Sequence, residues 1–593
     1  AEICRPENAM QPSHSCQASP ETDTPIRHRR WYQGAGIAVL CVGLTACGGA
    51  SEKPEPISDV DAVRFLEQAS FGPTPQDVAY LQSVGYSQWI DEQYSKTSTQ
   101  PTHLQTVEAS AIARGATKPD ANDVNYSWWT HALQDNTQLR QRVAFALSEI
   151  FVVSTNSDLS TQGRMVASYM DMLARDSGGT YRQLLEDVAM HPAMGTYLSH
   201  KANRKEDPTT GRVPDENFAR EVMQLFSIGL YELNPDGSLK LNNGQPIETY
   251  NANDVKGLAK VFTGFSWNWP STASALAWWK CFWRTSECND PAQEVSSMMG
   301  YTQEHSTSEK QFLGVTVAAQ STPNPQLSLK TALDRLANHP NTAPFISRQL
   351  IQRLVTSNPS SSYVNDVATV FRNSGGNLQQ VVKAILLHAE ARHPSVGPAT
   401  GKLREPILRI THLMRALPIT SDTYAAQAAA GATPYYPLPD TDNPGTALSQ
   451  TPMRSPSVFN FFRPGYKPPQ TELGAQDLVS PEMQLTTETT VIGYANFVAN
   501  ILNYGWGGRW NASTQTNDVR FDLSAFTGLT DQPQQLVDAV SKRLLGNTAP
   551  DEVNSEAVAA ISAMPNVTAT DQRRRVQAAI LMMAVSPAFI VQQ

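Results

Sequence analysis

The feature that constrains this chain most is a helical apolar period that is started and stopped again and again. In "FGPTPQDVAYLQSVGYSQWIDEQY", Gly72 ends one helix, Thr74 caps the next with Pro75 at its first position, and Gly85 ends that one. The spacing is already present from Asp61, through Val63, Phe65, Leu66 and Ala69. It returns in "YSWWTHALQDNTQLRQRVAFALSEIFVVS", "MVASYMDMLARDSGGTYRQLLEDVAM", "LSLKTALDRLANHPNTAPFISRQLIQRLV", "LQQVVKAILLHAEARHP", "REPILRITHLMRALP" and "QRRRVQAAILMMAVSPAFIVQQ". Such stripes are buried helix against helix, so the expected fold class is mainly α, in multi-helix bundle-like lobes. Two stretches break the period. "NPDGSLKLNNGQPIETYN" alternates and carries Asp-Gly and Asn-Gly, which predicts a small β-hairpin near 232–250. Residues 267–325 are rich in Trp, Ser, Thr and paired Met without helical spacing and predict an irregular insertion.

At 593 residues the chain exceeds what one small core organises. The expected order is a leader over 1–47, a tether over 48–60, an N-terminal helical lobe over 61–266 containing the hairpin, the insertion over 267–325, and a C-terminal helical lobe over 326–593. A Pro-, Thr- and Ala-rich loop is expected near 419–457 within that last lobe.

The leader is read from "RHRRWYQGAGIAVLCVGLTACGGASEKPEP". A basic stretch (Arg27, Arg29, Arg30) precedes an apolar segment from Gly34 to Ala46, far short of the ~20 residues that span a bilayer. That is the form of a secretory segment. Residues before Arg27 are atypical of one, which makes Met10 a candidate start. Leu44-Thr45-Ala46-Cys47 resembles the bacterial lipobox, whose cysteine is lipidated. The expectation is an exported protein held to the membrane through Cys47. With Gly48 rather than Asp after it, the destination in a Gram-negative cell is the outer membrane. Processing would remove Cys4, Cys16 and Cys41 and leave Cys281 and Cys288 as thiols. In "KCFWRTSECND", in an exported protein, that pair predicts a local disulfide bracing the insertion.

Lys and Arg number 46 against 55 Asp and Glu, giving a net charge of -9, and the cations are scattered. That lacks the basic excess that phosphate backbones require, so nucleic acid is excluded as an expected partner. "ELNPDGSLKLNN" has Lys240 and Asn243 where a calcium loop needs ligands, and no Walker loop, G-x-S-x-G or H-E-x-x-H occurs. No metal and no cofactor is expected.

Two groups of residues remain. In "PDENFAREVMQLFSIGLYELNPDG", Asp215 reads as an N-cap and Gly229 as the stop. Phe218, Val222, Leu225 and Phe226 share one helix face; Asn217, Arg220, Glu221 and Gln224 share another. Glu216 and Arg220 form an i,i+4 pair. If this polar stripe is buried, Arg220 must find a carboxylate among Glu216, Glu221 and Glu149; if solvated, it needs none. As chemistry, Glu221 would be acid or base, Arg220 an anion clamp, Asn217 a hydrogen-bonding neighbour and His191 or His305 an auxiliary. His191, His339 and His393 each precede proline at the end of an apolar run, where a structural role is the simpler one. The second group is Trp267, Trp269, Trp278, Trp279 and Trp283. Their rings either form the private core of the insertion or present faces for a glycan or a protein partner.

Taken in order, "RFLEQASFGPTPQDVAYLQSVGYSQWIDEQ", "HPAMGTYLSHKANRK", "DENFAREVMQLFSIGL", "DVKGLAKVFTGF", "HSTSEKQFLG", "HPNTAPFISRQLI", "SPSVFNFFRPGY" and "SPAFIVQQ" resemble the landmarks of the bacterial domain-of-unknown-function family 1800. The resemblance implies a large, mainly helical exported protein with no established reaction. It also implies a partner: members are often encoded beside exported proteins of domain-of-unknown-function family 1501, which resemble sulfatases and phosphatases. Many members carry a Trp-His-x-His-Phe segment; aligned on "RVAFALSEIFVVS", its histidines fall at Ser148 and Ile150, flanking Glu149, and an isoleucine cannot ligate metal. The family's Asn-x-x-Arg-Glu core stands intact as Asn217, Arg220 and Glu221. The function expected is that of a lipid-anchored envelope protein that binds or presents an exported partner. The alternative is a hydrolase or transferase acting on an envelope or extracellular polymer.

Overall fold

Helix starts in this protein are set by side chains that close back on the chain. Thr74 Oγ1 accepts from the Asp77 amide at 3.0 Å while Asp77 accepts from the Thr74 amide at 3.0 Å, with Pro75 as the first helical residue. The same reciprocal cap opens the helices His103–Ala113, Ala121–Gln134, Ala252–Val261 and Ala569–Ala584. Each such cap is worth ~1 kcal/mol. The computed structural model describes residues 56–270 and 273–593. The leader, Cys47 and the tether as far as residue 55 lie outside the described residues.

The described residues are mainly helical, with only short antiparallel strand pairs. One hydrophobic core runs from Ala62 to Phe589 and is filled by the large buried side chains Phe65, Trp129, Phe151, Tyr169, Tyr181 and Phe226. Helices from early and late in the chain meet there. Thr342–Leu354 packs on Gln138–Ser148, Pro406–Ala416 on Ala121–Gln134, and Pro325–Ala337 on Tyr181–Met190. The strand Val591–Gln592 pairs with Lys402–Leu403. Residues 56–593 therefore form one compact unit in which the two helical regions share a core. Among the described residues no helix is long and apolar enough to cross a membrane.

The hairpin forms where the sequence places it. Leu241–Asn242 pairs with Gln245–Pro246 around Asn243 and Gly244, both at positive φ (49° and 79°), as a two-residue primed turn requires. Flanking bridges join Leu233 to Leu239 and Tyr231 to Glu248. In the insertion, Cys281 and Cys288 are disulfide-bonded and pack with Ala273, Phe282 and Tyr301 in a small core of their own. The loop expected near 419–457 differs in detail. It opens with the strand Ile419–Ser421, paired to Val519–Phe521, and the helix Asp422–Ala429. Ser421 caps that helix and the run "DTYAAQAA" supplies high helix propensity; irregular chain then continues past residue 457.

Candidate functional site

Stretches far apart in sequence enclose a cleft of about 520 Å³. The helix Gln138–Ser148 ends at Glu149, which supplies the floor. On the helix Thr342–Leu354, Phe345, Arg348, Gln349, Gln352 and Arg353 fall on one face by their spacing of three and four. The "SPSVFNFFRPGY" loop adds Val458, Phe459 and Arg463, and the turn after the helix Asn217–Gln224 adds Leu225 and Leu230. Leu230, Leu239 and Phe459 are exposed and make the rim apolar. Arg463 lies over the Phe459 ring at 5.0 Å.

The floor rests on buried charge. Asn460 Nδ2 donates to Glu149 Oε1 at 3.1 Å, and Arg353 Nη1 stands 3.6 Å from the same oxygen, an ion pair too long for a good hydrogen bond. Behind Glu149 stand the fully buried Glu405, which accepts from Gln450 Nε2 at 2.6 Å, and Arg142. Arg142 and Lys402 both donate to the Arg353 carbonyl, at 2.7 and 3.0 Å, and Lys402 pairs with the buried Glu482 at 2.8 Å. Such a network fixes geometry more than it adds stability, since desolvation consumes most of the Coulomb gain.

Burial pushes the Glu149 carboxyl up to about 8, reinforced by the neighbouring Glu405 and opposed by Arg353 and the Asn460 hydrogen bond. Desolvation and a second carboxyl close by both penalise the ionised form of Glu149, so Glu149 keeps its proton. Glu149 Oε2 and Glu405 Oε1 are buried with no protein donor. Donors are left over as well. Arg353 Nη1 and Gln349 Nε2 are buried with no protein acceptor in hydrogen-bonding range. Arg348 is half-buried, and burial alone acts on it, pulling its guanidinium below its ordinary value. Near neutral pH the floor thus offers unanswered donors beside a carboxyl that carries little charge. That arrangement suits an acceptor or an anion.

A family model described as a protein of unknown function (DUF1800) matches residues 64–591, a span that contains every residue of the cleft. The chain belongs to the DUF1800 family. No curated protein and no solved structure matches it.

The residues singled out in this DUF1800 sequence are not gathered at the cleft. Asn217 is exposed, and its backbone amide donates to Asp215 Oδ1 at 2.8 Å; the N-cap position itself is Glu216, one residue later than the sequence suggests, and its side chain makes no cap. Arg220 has a 48% exposed side chain whose ion pair is with Glu216, at 3.4 Å. It does not pair with Glu221 or Glu149, because the 3.6-residue period turns it outward from a helix that buries Phe218, Glu221 and Val222. Glu221 is buried, its Oε2 unanswered by protein, and burial raises its pKa against the opposing Arg220. From that stripe it is Gln224 that reaches the cleft.

His191 and His305 are built into the fold. His191 Nδ1 accepts from the Ala193 amide at 3.2 Å and Nε2 meets Ser168 Oγ at 3.2 Å. His305 lies between the Thr263 carbonyl, 2.8 Å, and Ser328 Oγ, 3.0 Å. Burial lowers them to about 3 and about 4, so both are neutral at physiological pH. Neither lines the cleft.

The tryptophans divide. Trp267 is buried between Lys201 and Arg284, 3.7 and 4.6 Å from its ring. Trp269 stacks on Tyr301, and Trp278 packs edge-on to Phe282. Trp279 and Trp283 point outward, 45% and 51% exposed. The residues that sequence reasoning passed over are Arg348, Gln349, Arg353 and Glu405. The available signal was two arginines set in the apolar helix "APFISRQLIQRLV", and their partners come from segments too distant for any periodicity to show. Among the described residues no three His, Cys, Asp or Glu side chains stand close enough to hold a metal ion.

Proposed function

We propose that this protein is an exported, lipid-anchored envelope protein that binds and presents a partner, and that the cleft over Glu149 receives an anionic segment of that partner with apolar residues beside it. The observation that carries this reading is the pair of buried donors with no protein acceptor, Gln349 Nε2 and Arg353 Nη1, with the half-buried Arg348 beside them, facing a recess whose own carboxyl is held protonated and whose rim is apolar. An acidic chain end or side chain would satisfy the donors, and the rim would bury its neighbours. An exported protein of domain-of-unknown-function family 1501 is the partner this reading puts first, with anchoring through Cys47 at the outer membrane of a Gram-negative cell.

Arg348 is the residue to change, because it lies at the cleft and holds no structural ion pair. Arg348→Ala is expected to lower capture of the partner from solubilised envelopes about tenfold, the worth of one charge-assisted contact, with the melting temperature almost unchanged. Capture equal to wild type would remove the cleft from partner binding. A hydrolase or transferase acting on an envelope or extracellular polymer is the second reading. The proton held at Glu149 favours it, since a protonated carboxyl in a cleft is what a general acid needs. Glu149→Gln would keep binding and abolish turnover if that reading holds.

A further inference from the structure

A second cleft, of about 500 Å³, opens beside the C-terminal end of the helix Glu488–Tyr504. The loop that leaves this helix, "YGWGGRWNASTQTND", carries aromatic residues on a backbone that only glycine can follow. Gly507 and Gly508 sit at φ 71° and 61°, and a Cβ on either would lie 2.5 Å from the Pro437 carbonyl oxygen or 2.3 Å from Asp518 Cβ. The loop is thus pressed onto the body. Trp506 is pinned edge-on by Trp129 and Phe497, at 5.1 and 5.3 Å, and exchanges both backbone hydrogen bonds with Val519. From this fixed base Tyr504 and Trp510 project, 51% and 53% exposed, with ring centroids 6.4 Å apart and tilted by 53°.

Between these rings and the facing loop lies a ring of short polar groups. Asp440 and Asn500 are exposed, and no protein group among the described residues engages their side chains. Asn443 spends its carbonyl oxygen on the Gly445 and Thr446 amides, at 2.9 and 3.0 Å, which leaves its NH2 free to donate. No lysine or arginine lines the cleft. An anion would find no counter-charge here, and a purely apolar ligand would strand the amides and the carboxylate. Rigid aromatic faces rimmed by groups that both give and accept hydrogen bonds fit a ligand with a flat C–H face and hydroxyls around its edge. We propose that this cleft binds a neutral saccharide chain, its pyranose rings lying on Trp510 and Tyr504 and its hydroxyls meeting Asp440, Asn443 and Asn500. These observations are independent of the Glu149 cleft, and the proposal stands or falls apart from it.

The test is a titration of the full-length protein, in detergent, with cellohexaose, chitohexaose, xylohexaose and maltohexaose, followed by tryptophan fluorescence and by calorimetry. At least one hexaose is expected to bind. Trp510→Ala should weaken it about tenfold, Trp510→Phe should recover most of the loss, and Tyr80→Ala, which alters an exposed aromatic side chain away from the cleft, should leave it unchanged. Thermal melts confirm that each variant folds. Absence of binding by all four hexaoses, equal binding by wild type and Trp510→Ala, or preference for a polyanionic oligosaccharide or a proline-rich peptide would each overturn the proposal.

Discussion

Glu149 carries the sharpest consequence at the scale of the residue. Its carboxyl titrates near 4.5 when exposed and is held at about 8 in the folded protein. Between those values the folded state keeps a proton that the unfolded state has lost, so its contribution to stability is intact below about 4.5 and disappears as pH rises to 8. The loss is on the order of 5 kcal/mol. Buried histidines act with the opposite sign. His191 at about 3 and His412 at about 4 favour folding progressively as pH rises to 6.5. Comparison with Glu149→Gln cancels them. We expect the variant to be less stable than wild type or equal to it at pH 5, and more stable at pH 8.5, by thermal melts across that range. Parallel wild-type and variant curves would show that Glu149 does not hold the proton. The stripe around Arg220 shows what a sequence could and could not settle at this scale. The period separated the buried Phe218 and Val222 from the exposed Asn217 and Arg220, but it grouped Glu221 with the exposed residues and the fold buries it; which side a neighbour covers depends on residues such as Tyr250, whose hydroxyl meets Gln224 at 3.2 Å. Nothing local to 214–237 encodes that contact.

At the scale of the element, legibility follows sequence distance. Thr74 and Asp77, Asn243 and Gly244, and Cys281 and Cys288 each lie within one turn or one short loop, so their chemistry is complete in the local string. The two-stranded pairs Ile419–Ser421 with Val519–Phe521 and Lys402–Leu403 with Val591–Gln592 are not, and only the folded chain brings them together. The disulfide belongs to this scale as well. It closes a short loop that holds Trp278 and Phe282 against Tyr301. Cys281→Ser with Cys288→Ser is expected to lower the local unfolding free energy of the insertion by about 2–3 kcal/mol. Hydrogen exchange should then rise over 278–290 and stay unchanged in the helix Thr342–Leu354. Exchange that rises equally in both would mean the insertion is not a separate cooperative element.

For the whole molecule, family membership and helical class were legible because landmarks recur along nearly the full chain, from residue 64 to 591. The cleft was not, because it is assembled from groups that share no local pattern. Anchoring is the prediction that belongs here. Cys47→Ser should move the protein from the membrane pellet to the soluble fraction after cell breakage. A variant that still sediments with membranes, and resists a carbonate wash, would show that some other contact holds it there.

The hydrogen bond from Asn460 to Glu149 also sets a clock. Its ends are 311 residues apart in sequence. A ribosome adding about 5–20 residues per second needs roughly 15–60 s to make the second after the first. Through that interval Glu149 lacks Asn460, and for the first 204 residues of it Glu149 lacks Arg353 as well, although the helix Gln138–Ser148 already packs on Gly163–Asp176 and Tyr86–Ser95, its neighbours in sequence. The floor of the cleft therefore stays open while the chain is being made, after the helix that leads to it has found its neighbours. Early compaction is left to the capped helices of the first part of the chain, and the cleft is among the last things to exist.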